Sequence, residues 1–163
     1  KEYIPFLKSF IKERSIKSIV DLGCGDFKCG PLIYDDLDIE YTGYDAYEKI
    51  INYHKENISG AKYNFIHADI FNDRDTLKGA DLLILKDVLQ HWKTEDIYIF
   101  LDFIKDKNIY SNIMIINCCN QTRDDQILDK TGNWRQLNHK YNPLKKYNPT
   151  RIFSYNSKEI ILI

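Results

Sequence analysis

Two runs of four consecutive apolar residues, Leu82-Leu83-Ile84-Leu85 and Ile113-Met114-Ile115-Ile116, constrain this chain more than any other feature. A strand with one wet face alternates apolar and polar residues. A continuous run instead marks a strand buried on both faces, as in a parallel sheet covered by helices. The runs extend to strands over residues 81–86 and 112–117, and Ser18–Leu22, Glu40–Asp45 and residues 63–68 read as three more. Between them, Ile97, Phe100, Leu101 and Ile104 recur at helical spacing behind Thr94 as the expected N-cap, with Glu95 and Asp96 at the positive end. Residues 47–57 predict a second helix and 73–78 a single turn. Ile4, Leu7, Phe10 and Ile11 make the first 14 residues an amphipathic helix, expected to pack at a sheet edge.

Strands alternating with helices at this spacing imply βαβ units with right-handed crossovers, hence an α/β fold with a doubly wound, mainly parallel sheet. After Asn117 the pattern breaks. No sustained period runs through residues 118–150, and loops of that length in compact domains are usually functional or disordered; an acceptor-side loop is expected. Residues 151–155 and 159–163 then read as short strands joined by Asn156-Ser157, a closing antiparallel hairpin. At 163 residues the whole, 1–163, is expected to be one domain.

Charge excludes some partners. Twenty-three Lys and Arg against twenty-four Asp and Glu leave a formal charge of -1, so no overall field favours nucleic acid or an anionic membrane. No apolar run approaches the roughly 20 residues of a membrane span, and the first residues do not pattern as a signal peptide, so a cytoplasmic protein is expected. Cys24, Cys29, Cys118 and Cys119 form no C-x-x-C pair and read as reduced thiols. His54, His67, His91 and His139 lack metal-ligand spacing, so no metal site is expected.

In an open α/β sheet, ligands bind beyond the carboxyl ends of the strands. Those ends are acidic here: Asp21, Asp45, Asp69 and Asp87. Such a rim suits a ligand bearing hydroxyls and amines better than bare phosphates. The first strand runs into Gly23-Cys24-Gly25-Asp26-Phe27, a turn in which the backbone can approach a ligand closely. Asp45 follows about 20 residues later, where a carboxylate can accept from ribose hydroxyls. The dinucleotide fingerprint G-x-G-x-x-G would need glycine at Lys28, and no Walker loop is present.

Val20-Asp21-Leu22-Gly23-Cys24-Gly25 resembles motif I of class I S-adenosylmethionine-dependent methyltransferases, with later motifs in order over roughly residues 16–117. Gly25-Asp26-Phe27 with Lys86-Asp87-Val88-Leu89-Gln90-His91-Trp92 is similar to a subgroup whose motifs read G-C-G-D-[WF] and D-V-L-Q-H. The resemblance implies a Rossmann-like class I methyltransferase fold and S-adenosylmethionine as cofactor, with S-adenosylhomocysteine as product. It implies Asp21, Gly23, Cys24 and Gly25 around the methionine moiety, Asp45 and Ala46 at the ribose, Asp69 and Ile70 at the adenine, and Lys86 and Asp87 on the methionine side. Two departures stand out. Phe27 occupies the place of the usual third glycine and is expected to narrow the methionine end of the pocket, and the helix after the fifth strand is missing from the pattern.

The cofactor carries an activated methyl group, so such an enzyme needs alignment and water exclusion, and a base if the acceptor is a hydroxyl. His91 is the preferred base and Asp87 the alternative. Between Asp129 and Glu159 lie seven Lys or Arg residues and no acid. Trp134, Arg135 and His139 in that stretch, with Asn120 and Arg123 just past the fifth strand, are the candidate acceptor contacts, Arg135 for its bidentate fork. The expected function is methyl transfer to a small molecule, a hydroxyl of a saccharide or of a nucleotide- or phosphate-linked sugar. An RNA methyltransferase and a non-catalytic cofactor-binding regulatory module are the alternatives. Oligomeric state is not set by the sequence.

Overall fold

A computed structural model of the chain describes residues 2–58, 60–124 and 133–163. Helices α1 (Tyr3–Glu13), α2 (Gly30–Tyr34), α3 (Glu48–Asn57) and α4 (Thr94–Lys107) alternate with strands β1 (Ser18–Leu22), β2 (Glu40–Asp45), β3 (Tyr63–His67), β4 (Ala80–Lys86) and β5 (Tyr110–Cys118). Strands β6 (Thr150–Tyr155) and β7 (Lys158–Leu162) close the sequence. They form one seven-stranded sheet in the order β3-β2-β1-β4-β5-β7-β6. The expected α/β architecture, mainly parallel with a C-terminal antiparallel pair, is what folds. The chain divides within β4 into two compact units, residues 1–83 and 84–163.

In the first unit β1, β2 and β3 are parallel, with Val20 opposite Thr42 and Gly43 opposite Phe65. α1 buries Leu7, Phe10 and Ile11 of the stripe its sequence shows, with Tyr3 buried and Ile4 only half-buried, and α3 buries Ile51 and His54. The short α2 had no sequence period to announce it. Its start is carried by Pro31, whose fixed φ suits a first helical turn. Lys62 closes that region, donating its ammonium to the carbonyls of Tyr34, Asp35 and Leu37 at 2.9, 3.0 and 2.6 Å.

The apolar runs of β4, at the division, and of β5, in the second unit, behave as their composition requires. Leu82 to Leu85 and Met114 to Ile116 are all buried. β7 pairs antiparallel with β5, Ile115 opposite Ile161 and Asn117 opposite Glu159. Asn156 and Ser157 join β6 to β7 with φ 44° and 61°, the two left-handed residues of a tight hairpin turn.

One sequence expectation needs correction here. Thr94 is not the N-cap of α4: Lys93 takes that place in extended conformation, and the Thr94 hydroxyl instead accepts a hydrogen bond from Arg135 Nη2 at 3.1 Å. The stretch 118–150, which showed no sustained period in the sequence, is largely packed where described. Leu137 N donates to Cys118 O at 3.0 Å, and Leu137 and Leu144 are buried. Gln121 ties it together, donating to the carbonyls of Arg123 and Asn142 at 2.9 Å and accepting from Asn138 N at 2.8 Å. Its centre, residues 125–132, lies outside the described residues. No helix among the described residues is long and apolar enough to cross a membrane.

Candidate functional site

In the first unit the site begins where β1 runs out. Gly23 and Gly25 turn the chain at φ 78° and 56°, a region open to glycine and strained for other residues. Gly23 N and Cys24 N both donate to Tyr44 O, at 2.8 and 3.0 Å, which ties the turn to β2. A Cβ on Gly25 would meet no atom within 4 Å, so the turn presents open space at that residue. Asp45, at the end of β2, accepts from Gly25 N on Oδ2 at 3.0 Å and from Tyr47 N on Oδ1 at 2.9 Å. Each oxygen keeps acceptor capacity beyond that one bond. Asp21, on β1, accepts from the buried Tyr41 hydroxyl at 2.8 Å. Burial, reinforced by the charges of Asp21 and Asp45, pushes the Cys24 thiol far above its usual range. It is a neutral filler of the turn, not a nucleophile.

The remaining first-unit residues divide. Ala46 is exposed, and its carbonyl faces His67 Nε2 at 3.1 Å. Asp69 is occupied by its own turn: its carboxylate accepts from Phe71 N, Asn72 N and Asn72 Nδ2, bonds led by Asn72 N that hold its carboxyl below the usual range. Ile70, next in the chain, is buried. The expectation that Phe27 narrows the pocket is wrong. Its φ of 53° turns the side chain inward, and the ring is buried among Tyr34, Tyr41, His54, Tyr63 and Phe65 at centroid distances of 4.8 to 6.2 Å. Aromatic packing rewards that choice at each contact.

In the second unit, Asp87 follows β4 at φ 59° and is held beside β5 by its N–H on Ile116 O at 2.9 Å. Its Oδ2 receives the ammonium groups of Lys86, at 2.9 Å, and of Lys158. Burial would raise this carboxyl, but the two lysines outweigh it and hold it below the ordinary carboxylate range. Its Oδ1 is buried without a hydrogen-bond partner among the described residues, as are Gln90 Oε1 and Asn117 Oδ1. Buried acceptors left in this state have hydrogen-bonding capacity beyond what the described residues satisfy. His91 lies in a short 3-10 turn, Leu89–His91, with its N–H on Val88 O at 3.0 Å.

The candidate acceptor residues do not act as one group. Arg135 is buried, its fork donating to Trp92 O at 2.6 Å and Thr94 Oγ1 at 3.1 Å, so it braces the start of α4 and cannot cradle a phosphate. His139 sets Nδ1 at 2.6 Å from Glu159 Oε2, and its N–H donates to Glu159 Oε1 at 2.6 Å. Asn120, Arg123 and Trp134 are exposed, Asn120 N donating to the Gln136 side chain at 2.7 Å. Of the basic run, Lys146 pairs with Asp102 and Lys158 with Asp87, and Lys130 lies outside the described residues. No group of three metal-ligating side chains occurs among the described residues.

Sequence reasoning missed His54, Asn117, Lys158 and Glu159. Asn117 is the last-but-one residue of β5 and closes the strand expected over 112–117, so the strand-end rule would have found it. A lone histidine on α3 carries no such signal.

No family model matches the chain, and no curated protein matches it by sequence. Solved structures do match. Human N-acetylserotonin methyltransferase, in complex with S-adenosylmethionine, superposes with a TM-score of 0.69 at 18% identity, over 96% of this chain and 49% of that one. The mitomycin 7-O-methyltransferase MmcR gives 0.65 at 14% identity, over 98% and 52%. The methyltransferase domain of bacterial CtHen1-C gives 0.70 at 13% identity, over 98% and 95%. The fold is therefore that of class I methyltransferases. The chain spans about half the length of the first two of these proteins.

Proposed function

We propose that the chain binds S-adenosylmethionine and transfers its methyl group to a hydroxyl of a small polyhydroxylated molecule. The observation that carries this reading is the glycine turn. Open space at Gly25 stands beside a carboxylate, Asp45, that is already fixed by two backbone N–H groups and still able to accept from a ribose. Cys24, neutral and small, leaves that turn free of competing chemistry. When bound, the cofactor supplies a methyl group on a sulfonium that needs no further activation.

The chain's own work is then to bind, to orient and to take a proton. Asp87 is a poor base, since two ammonium groups hold it ionised. Two histidines remain for the proton of the acceptor hydroxyl. The His91 ring has no hydrogen-bond partner among the described residues and is free to turn toward an acceptor. His139, fixed through Nδ1 on Glu159, keeps Nε2 for accepting. The unpartnered oxygens of Asp87, Gln90 and Asn117 favour an acceptor rich in O–H donors, and the engagement of Arg135, Lys146 and Lys158 disfavours a phosphate-linked one.

Calorimetry with S-adenosylmethionine and S-adenosylhomocysteine tests the cofactor; no heat of binding overturns the proposal. Release of S-adenosylhomocysteine over a panel of saccharides, against phosphorylated sugars and RNA, tests the acceptor class. His91→Ala and His139→Ala then show which histidine lowers turnover with cofactor affinity intact.

A further inference from the structure

His54 stands apart from the residues assigned so far. It sits on α3, is 1% exposed, and places Nε2 at 2.7 Å from the carbonyl oxygen of Gly25. A carbonyl can only accept, so the proton is on Nε2 and the bond runs from the imidazole to the glycine turn. The other nitrogen, Nδ1, is buried with no hydrogen-bond partner among the described residues. An apolar side chain would fill the same space, 4.7 Å from the Phe65 ring and 6.1 Å from Phe27, without leaving a buried acceptor unsatisfied. What the imidazole adds is the single bond to the turn.

That bond completes a clamp. Gly25 N–H is held by Asp45 from the end of β2, and Gly25 C=O by His54 from α3, so one residue at φ 56° is fixed at both of its peptide groups. The peptide after Gly25 is planar and trans, so a carbonyl drawn toward His54 directs the Asp26 N–H away from the ring. We propose that His54 is a positioning residue for the cofactor: it holds the glycine turn in its binding shape before the ligand arrives, so that binding does not have to order it. This rests on the cofactor reading above. Asp45 is then both the ribose acceptor and the opposite jaw of the clamp.

The test is calorimetry with S-adenosylhomocysteine on the full chain, with each variant's fold checked by circular dichroism. His54→Leu, which keeps bulk and loses the donor, is expected to raise Kd about fivefold, the worth of one hydrogen bond. His54→Gln, whose amide N–H reaches the Nε2 position, is expected to restore Kd to near the wild-type value. If His54→Leu does not fold, His54→Asn replaces it: its amide is one methylene too short to reach Gly25 O, so it should bind more weakly than His54→Gln. Equal Kd for the wild type and His54→Leu, or for the Asn and Gln variants, overturns the inference and leaves the cofactor reading intact. A wild-type chain that does not bind S-adenosylhomocysteine overturns the cofactor reading itself.

Discussion

Alanine is ordinarily better than glycine at the start of a helix, by up to about 1 kcal/mol, yet Gly30→Ala should destabilise this protein. Gly30 opens α2 and has no left-handed backbone to lose. A methyl group there would stand 2.2 Å from Cε2 and Cζ of Phe27 and 2.4 Å from Cε1, against a carbon–carbon optimum of roughly 3.5 to 4.0 Å. The ring cannot yield, because five aromatic neighbours surround it, and Gly30 N is itself bonded to Phe27 O at 2.9 Å. Overpacking of this kind costs about 1 to 3 kcal/mol, so the net loss after the helix gain is about 1 to 2 kcal/mol. Urea denaturation measures it as a lower midpoint at unchanged slope. In a Phe27→Leu background the same substitution should become neutral or stabilising, a coupling of at least about 1 kcal/mol. A Gly30→Ala protein as stable as the wild type would refute the claim that Phe27 is locked beneath the turn.

Asp45→Ala should weaken S-adenosylhomocysteine binding by about 1.5 to 3 kcal/mol in calorimetry, the worth of bonds to a charged acceptor; an unchanged Kd removes its ribose role. Arg135→Met should cost about 1.5 to 3 kcal/mol of stability by thermal denaturation while leaving cofactor Kd alone; a stable variant with altered acceptor selectivity would instead restore Arg135 to the site. Lys158→Met should raise the Asp87 carboxyl toward the ordinary range, read by carbon NMR titration; an unmoved titration excludes Lys158 as its partner. Because the folded-state value of Asp87 is depressed, its stabilisation is present above the unfolded carboxylate value of about 4 and is lost as pH falls through the folded one. The variant should therefore lose about 1 to 2 kcal/mol at about pH 7 and little in acid.

The fold and the geometry of the glycine turn were legible in the chain for particular reasons. Leu82 to Leu85 and Ile113 to Ile116 show burial on both faces without reference to any partner, since an exposed face would have required polar residues. Gly23, Gly25 and Asp45 were legible because left-handed turns and strand-end carboxylates are local requirements with fixed spacing. The sequence could not show contacts that depend on what lies opposite a residue. Arg135 has the side chain of a phosphate ligand, but Trp92 O and Thr94 Oγ1 occupy its donors. Asp69 ends its strand as Asp45 does, and only the structure shows that the N–H groups after it also fold back onto its carboxylate.

Sequence alone determined the layered sheet and the glycine turn that ends its first strand, because periodicity and glycine geometry act over a few neighbouring residues. Tertiary structure alone decided the direction of Phe27, the bond from His54 to Gly25, and the pairing of Asp87 with Lys158, residues 71 positions apart. Hydrogen-bonding capacity is a property of a side chain, but whether any of it is left for a ligand depends on packing that brings distant segments together.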